Sequence, residues 1–406
     1  MSLRSIPPKG RIQSLLVIAM AFTFVLQVYV STNEIAFVYQ PIPMIGTRFT
    51  ASESRIKTDD TWRATRKHSK QAIEYIASEP VPRPSIETLV TRQNVTGDVA
   101  WLLNLAVVGF PKCGTSFMMR YLGRHEEIAM LTDGEHCELS TGTQDSVLIK
   151  ALMDGLPSGK IARGLKCPRQ LESPRAMLSL SRYFPNTKII VGVRHPVLWF
   201  ESFYNFRQQR TWFNLLPAQE LIGKCADLGP FENVASVCTE RANFHEPLAR
   251  LGKTSMQSAD EQQYFSADAQ NVSDNVDFSD KKIFLYDLAQ LQDKDQDRSQ
   301  LLLQDLQNFL QVTKPFQTMV AERQPVSNVT RIDICDPEYN RLREVLVDTG
   351  VKASRWIRRF FFHAKGVTVS SPKFLDQVLA KWEEDPCEER RAKSNSALSP
   401  PNRTTS

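Results

Sequence analysis

The segment Gly109-Phe-Pro-Lys-Cys-Gly-Thr-Ser116 gathers the groups that hold an anion end-on. Glycines let a turn aim its backbone N–H groups inward, and a helix starting after it adds about half a positive charge and unsatisfied donors. Lys112 brings a mobile ammonium. Cys113 and Gly114 lie within the turn, and Thr115 and Ser116 supply hydroxyls. A P-loop of the magnesium-nucleotide class runs Gly-x-x-x-x-Gly-Lys-Ser/Thr, with Lys directly before the hydroxyl residue. Here Lys112 stands before Gly114, and Gly114 is followed by Thr115. That order, and the absence of a clear Mg²⁺-binding Asp motif, turn the reading away from a P-loop-type nucleotide phosphotransferase, which stays as the alternative.

The order Pro-Lys-x-Gly-Thr-Ser instead resembles the 5′-phosphosulfate loop of sulfotransferases that use PAPS (3′-phosphoadenosine 5′-phosphosulfate). A second match follows about 80 residues later, Lys188-Ile-Ile-Val-Gly-Val-Arg194-His-Pro196, with Ser202 eight residues beyond Arg194. It resembles that family's 3′-phosphate segment, in which an arginine fork and a helix serine hold the phosphate. The resemblance spans about residues 104 to 387, and its specific part is these two motifs. It implies PAPS as donor and no metal, with Lys112, Cys113, Gly114, Thr115 and Ser116 at the 5′ end and Arg194 and Ser202 at the 3′ end. Lys112 would also stabilise charge on the leaving phosphate. No cluster of metal-ligand spacing is visible.

In family members with a glutamate base, it lies about two dozen residues after the loop lysine. Asp133-Gly-Glu135-His136-Cys-Glu138 occupies that place. The order of preference for the general base is Glu135, then His136, then Glu138. Lys166, in Gly164-Leu-Lys-Cys-Pro168, resembles the Lys-x-Pro element of Golgi carbohydrate sulfotransferases, although a surface Lys before a Pro turn would read the same. The stretch from Asp333-Ile-Cys-Asp336 to Asp385-Pro-Cys387 resembles the membrane-bound carbohydrate enzymes. One departure is clear: heparan-type members close on the donor with Lys-Gly-Arg, whereas Lys365-Gly366 precedes Val367. The resemblance implies a carbohydrate acceptor, on a glycan or proteoglycan, with a protein tyrosine or a lipid glycan as alternatives. Arg169, Trp199, Arg207, Arg210 and Trp212 are candidates to meet it, with structural roles as the plain alternative. A relative that keeps the fold without activity is the third reading, against which Lys112, Thr115, Arg194 and Ser202 all count.

These residues need elements to place them. Leu105–Gly109 and Lys188–Val193 are short, apolar and ended by Gly or Arg, as buried strands are. Residues 161–165 form a weaker strand and 282–286 a further one. Helical spacing covers 116–122, 196–210, 301–312 and 338–362. Strands alternating with helices predict an α/β, P-loop-like fold, a central and mostly parallel sheet with helices on both faces.

The rest concerns location. Residues 12–30 carry no charge, and as a helix would span roughly 28 Å, close to a bilayer core of about 30 Å. Arg4, Lys9 and Arg11 precede this stretch, and the next basic residue is Arg48. The basic flank predicts a cytosolic tail (1–11), a signal anchor (12–30) and a lumenal remainder, a type II Golgi membrane protein. A cleaved signal peptide is the alternative. Residues 31–100 are polar and Pro-bearing, a stem; 101–387 form the sulfotransferase-like domain; 388–406 are a disordered tail. Sequons at Asn94, Asn271, Asn328 and Asn402 fit glycosylation in a lumen. Seven Cys in an oxidising compartment predict disulfides. Cys225–Cys238 and Cys335–Cys387 are the proposed pairs, and Cys113 and Cys167 are expected free. A net charge of +5, without runs of Lys and Arg interleaved with aromatics, argues against nucleic acid.

Overall fold

A computed structural model of the chain describes residues 83–141, 144–157, 162–209, 215–225, 237–253, 278–279, 282–319, 331–388 and 390–391. The anchor, most of the stem and the last residues of the tail lie outside them, as do Arg210, Trp212, Asn271, Asn328 and Asn402. Among the described residues no helix is long and apolar enough to cross a membrane.

A two-stranded hairpin, β1 (Val90–Thr91) and β2 (Asn94–Val95), opens the described chain. Asn94 is exposed on it. The main sheet has the order β4-β5-β3-β6-β7-β8: β3 (Leu105–Gly109), β4 (Ile128–Met130), β5 (Ala162–Cys167), β6 (Lys188–Val193), β7 (Ile283–Asp287) and β8 (Val367–Val369). All five pairings are parallel. The helices of eight residues or more are α1 (Thr115–Leu122), α2 (Asp145–Gly155), α3 (Pro174–Tyr183), α4 (Pro196–Gln209), α5 (His245–Lys253), α6 (Gln296–Leu310), α7 (Asn340–Trp356) and α8 (Pro372–Ala380).

Strand alternation divides the core into two. Ala106 and Val108 of β3, Ile189, Val191 and Val193 of β6, and Ile283 and Leu285 of β7 face one cluster with side chains of α2, α3, α4 and α7. Leu105 and Val107, Ile190, and Phe284 and Tyr286 point the other way, onto α1 and α6. A sheet covered on both faces needs strands that are buried at every position, which β3 and β7 are, with Asp287 the one charged residue among them. The expected α/β architecture is therefore observed. Tertiary context adds two short strands that periodicity did not mark, β4 and β8, and carries β5 on to Lys166 and Cys167.

Two further readings change. Packing begins before Trp101: Leu89 and Val99 are buried in the core, and Arg83 donates to the carbonyl of Met153 at 2.9 Å. The end of the expected stem is thus part of the folded body. Cys225–Cys238 and Cys335–Cys387 are bonded and Cys113 is a free, buried thiol, but Cys167 is not free: it pairs with Cys137. Spacing alone says nothing about a partner 30 residues away; the strand that ends at Cys167 brings it there.

Candidate functional site

The Gly109–Ser116 turn leaves the C-terminal end of β3, at the middle of the sheet, where open α/β sheets form their crevices. The chain reverses there through left-handed backbone at Lys112 (φ 64°) and Gly114 (φ 80°). Gly114 caps α1, whose first amides have no intrahelical acceptor. Three consecutive carbonyls of the turn are drawn back into the protein. Trp199 Nε1 donates to the Pro111 carbonyl at 2.7 Å, Arg194 Nη1 to that of Lys112 at 3.4 Å, and the Tyr286 hydroxyl to that of Cys113 at 3.0 Å. Holding carbonyls on one side leaves the other side of the turn to amides. Gly192 permits this approach, since a Cβ there would stand 2.5 Å from both the Cys113 carbonyl oxygen and the Tyr286 hydroxyl.

The predicted donor residues converge, with distinct roles. Thr115 is buried at the first position of α1. Cys113 is wholly buried, and burial raises its thiol well above the usual range, so it stays a neutral side chain and serves the turn through its backbone. The Lys112 ammonium lies 4.3 Å over the ring of Phe206. Phe206 is four residues after Ser202 on α4, hence on the same helix face. The two sequence motifs are thus joined through α4. Arg194 leaves the end of β6, next to the end of β3, partly buried, with desolvation acting against its charge. A guanidinium in that setting gains by meeting an anion.

On the other side of β3 lies a second group. Lys166 sits on β5 at 3% exposure, and its ammonium donates to Glu135 Oε1 at 2.7 Å and to Ser116 Oγ at 3.0 Å. It is no surface lysine before a turn: it links the helix start to the first-choice base. The Glu135 side chain is half exposed, so one end is fixed and the other open to solvent. The backbone N–H of His136 donates to the Lys166 carbonyl at 3.0 Å, tying the loop to β5.

His136 itself stands between two carboxylates, Nε2 at 2.8 Å from Asp133 Oδ1 and Nδ1 at 3.1 Å from Glu138 Oε1. The hydrogen bond to Glu138 foremost pushes its pKa up to about 8, against some desolvation. An imidazolium with both nitrogens engaged has no lone pair to accept a proton, so His136 acts as a clamp, with Glu138 as one of its jaws. Glu135 is the carboxylate of this loop that pairs with Lys166 and, through it, reaches Ser116 of the turn.

Trp199, considered for acceptor contact, is fully buried and holds the turn instead. Arg169 is exposed beyond β5 and Arg207 partly buried on α4. Sequence reasoning passed over Asp287, the last residue of β7, paired in register with Val193. Its Oδ1 accepts from the Ala289 amide at 2.7 Å, and burial pushes its pKa up to about 7. An Asp ending an apolar strand reads as a helix cap, and it is one; its burial beside Arg194 has no sequence signal. Among the described residues no group of three or more His, Cys, Asp or Glu could hold a metal ion.

No family model matches the sequence, and no protein of curated function matches it. Among solved structures, the chain is similar to a sulfotransferase from Alicyclobacillus acidocaldarius at 17% identity, covering 63% of this chain and 96% of that one, with a TM-score of 0.42. It is also similar to the sulfotransferase domain from the curacin biosynthetic pathway at 15% identity, covering 74% and 99%, with a TM-score of 0.28. Likeness at these values carries no argument about chemistry, which rests on the geometry of the site.

Proposed function

We propose that this protein transfers a sulfuryl group from PAPS to a hydroxyl of a carbohydrate acceptor. The observation that supports it best is the pairing of two cationic anion sites on adjacent strand ends. The turn after β3 offers amides and Lys112, and Arg194 stands at the neighbouring end of β6. A nucleotide with phosphate at both its 5′ and 3′ positions needs two such sites, whereas a 5′-nucleotide needs one.

The transfer is an in-line displacement at sulfur. Glu135 takes the proton of the acceptor hydroxyl as its oxygen attacks, the S–O bond to the 5′-phosphate breaks, and adenosine 3′,5′-bisphosphate leaves. As in phosphoryl transfer, the protein chiefly aligns the two oxygens and stabilises charge on the leaving group. Lys112 and the turn amides face that charge. Lys166 fixes Glu135 against Ser116 of the same turn, which sets the base relative to the sulfur. The anchor at 12–30 and the lumenal placement belong to this reading as well, supported by the basic flank and the sequons.

Thermal shift separates the readings. Adenosine 3′,5′-bisphosphate is expected to stabilise the protein and ATP with Mg²⁺ is not; the reverse would favour a phosphotransferase. Labelled donor and a panel of glycans then report transfer. Lys112→Ala is expected to lower kcat by about 10²-fold or more, and unchanged rate and donor affinity would remove the donor-site assignment.

A further inference from the structure

We infer that the Cys137–Cys167 disulfide is a positioning element of the reacting end of the site, and that opening it stops transfer while the donor stays bound. This rests on Glu135 as the base. Cys167 follows Lys166 on β5, and Cys137 is two residues beyond Glu135. The covalent bond therefore joins the two segments whose side chains meet in the Lys166–Glu135 pair.

The ties on the 132–138 loop are of two kinds. The Asp133–His136–Glu138 clamp is internal: it sets the shape of the loop but not its place on the protein. Among the external ties are the His136 N–H to the Lys166 carbonyl, the Lys166–Glu135 ion pair, and the disulfide. Residues 132–135 are exposed, so little burial holds them down. Of these three ties the disulfide alone is covalent. The path between its ends is packed into the core through Leu139, Leu148 and Leu152, so losing the bridge loosens the exposed loop at 132–135 and leaves that path in place.

The donor side has its own supports. Trp199, Arg194 and Tyr286 hold the turn from β6, α4 and β7, and none touches the 132–138 loop. Neither of the other bridges, Cys225–Cys238 and Cys335–Cys387, has a residue of the site within two positions. Cys137 is partly exposed and Cys167 buried, so a small dithiol reaches one sulfur of the pair. The step balances simply: the dithiol gives two electrons and two protons, the S–S bond becomes two thiols, and the dithiol closes to its own disulfide.

The test uses the full chain in three forms: oxidised; treated stepwise with dithiothreitol, with opened bridges identified by alkylation and mass spectrometry; and carrying Cys137→Ala with Cys167→Ala. A Cys225→Ala, Cys238→Ala pair is the control. Opening 137–167 is expected to lower kcat at least about tenfold while the Kd of adenosine 3′,5′-bisphosphate stays within about twofold. Amide exchange in 131–141 should rise by about tenfold or more. The control pair should leave the ratio of kcat to wild type near one. Unchanged kcat with the bridge open, or loss of donor affinity in step with kcat, overturns the proposal. Should the double variant fail to fold, the reduced native protein decides. Should the oxidised protein neither bind the bisphosphate nor transfer sulfate, the proposed function falls, and exchange still judges the tether: unchanged exchange overturns it, faster exchange confined to 131–141 upholds it.

Discussion

Gly192→Ala probes the packing behind the anion-binding turn with a single carbon. The new Cβ would fall 2.5 Å from the Cys113 carbonyl oxygen and 2.5 Å from both the Tyr286 hydroxyl oxygen and Cζ. Those atoms form one unit, because the hydroxyl donates to that carbonyl and Tyr286 is fully buried. Restoring ordinary contact near 3.4 Å requires a displacement of about 1 Å, and none of the three atoms is the end of a flexible side chain. Overpacking of this kind costs about 1–3 kcal/mol, and straining the Tyr286 hydrogen bond adds up to about 1 kcal/mol. In a domain of this size the melting temperature should fall by roughly 3–12 °C. Because the yielding part is the turn itself, kcat should drop by up to about 10²-fold, the effect of a 1 Å misplacement. Thermal denaturation, bisphosphate titration and a transfer assay measure the three quantities. Gly134→Ala is the companion, since a Cβ there meets nothing within 4 Å and should change stability by less than about 0.5 kcal/mol. A Gly192→Ala protein with native melting temperature and native bisphosphate affinity would refute the account of why the turn's carbonyls are held back.

Two further outcomes follow from the other side chains. Lys166→Met keeps the buried stem and removes the bridge between Ser116 and Glu135; kcat should fall by about 10²-fold with bisphosphate Kd within about threefold, and equal losses in both would assign Lys166 to donor binding instead. For Asp287, the folded pKa of about 7 lies above the ordinary carboxylate value. The folded state therefore keeps the proton longer than the unfolded chain, and stability is lost as pH rises from about 4 through 7. Asp287→Asn retains the acceptor for the Ala289 amide and escapes that loss, so it should raise the unfolding free energy at pH 8 by on the order of a few kcal/mol at most, and the melting temperature with it, and have little effect at pH 4. Equal shifts at both pH values would show that burial of charge is not the cause.

The strands that carry the two motifs were legible because they are local. Leu105–Gly109 and Lys188–Val193 have the bounds that composition alone assigns, and each is followed at once by the residues it positions. The opposite side was less so. Lys166 and Glu135 are 31 positions apart, and nothing in either neighbourhood marks that parallel pairing of β5 with β3 sets one ammonium against both Ser116 and Glu135. The Cys137–Cys167 bond escaped for the same reason. β8 is three residues long at the edge of the sheet, too short for a periodicity, and is made a strand by the Ile283–Val367 to Leu285–Val369 pairing. Trp199 showed the reverse failing: an aromatic beside the 3′-phosphate motif reads as a contact for ligands, yet here its indole N–H is a strut.

The position of β3 has a consequence for how such a protein changes over time. The chain crosses from β3 to β4 and β5 on one side and then to β6, β7 and β8 on the other. Arg194, Ser202 and Phe206 belong to the second half, while Glu135, His136 and Lys166 belong to the first. Under the proposed function the base and its tether therefore lie in the stretch between the two donor motifs, while the 3′-phosphate site lies beyond it. Substitutions in the loop after β4 can change the base's surroundings without touching the Arg194 site, whereas any change at Lys166 reaches the donor turn through Ser116.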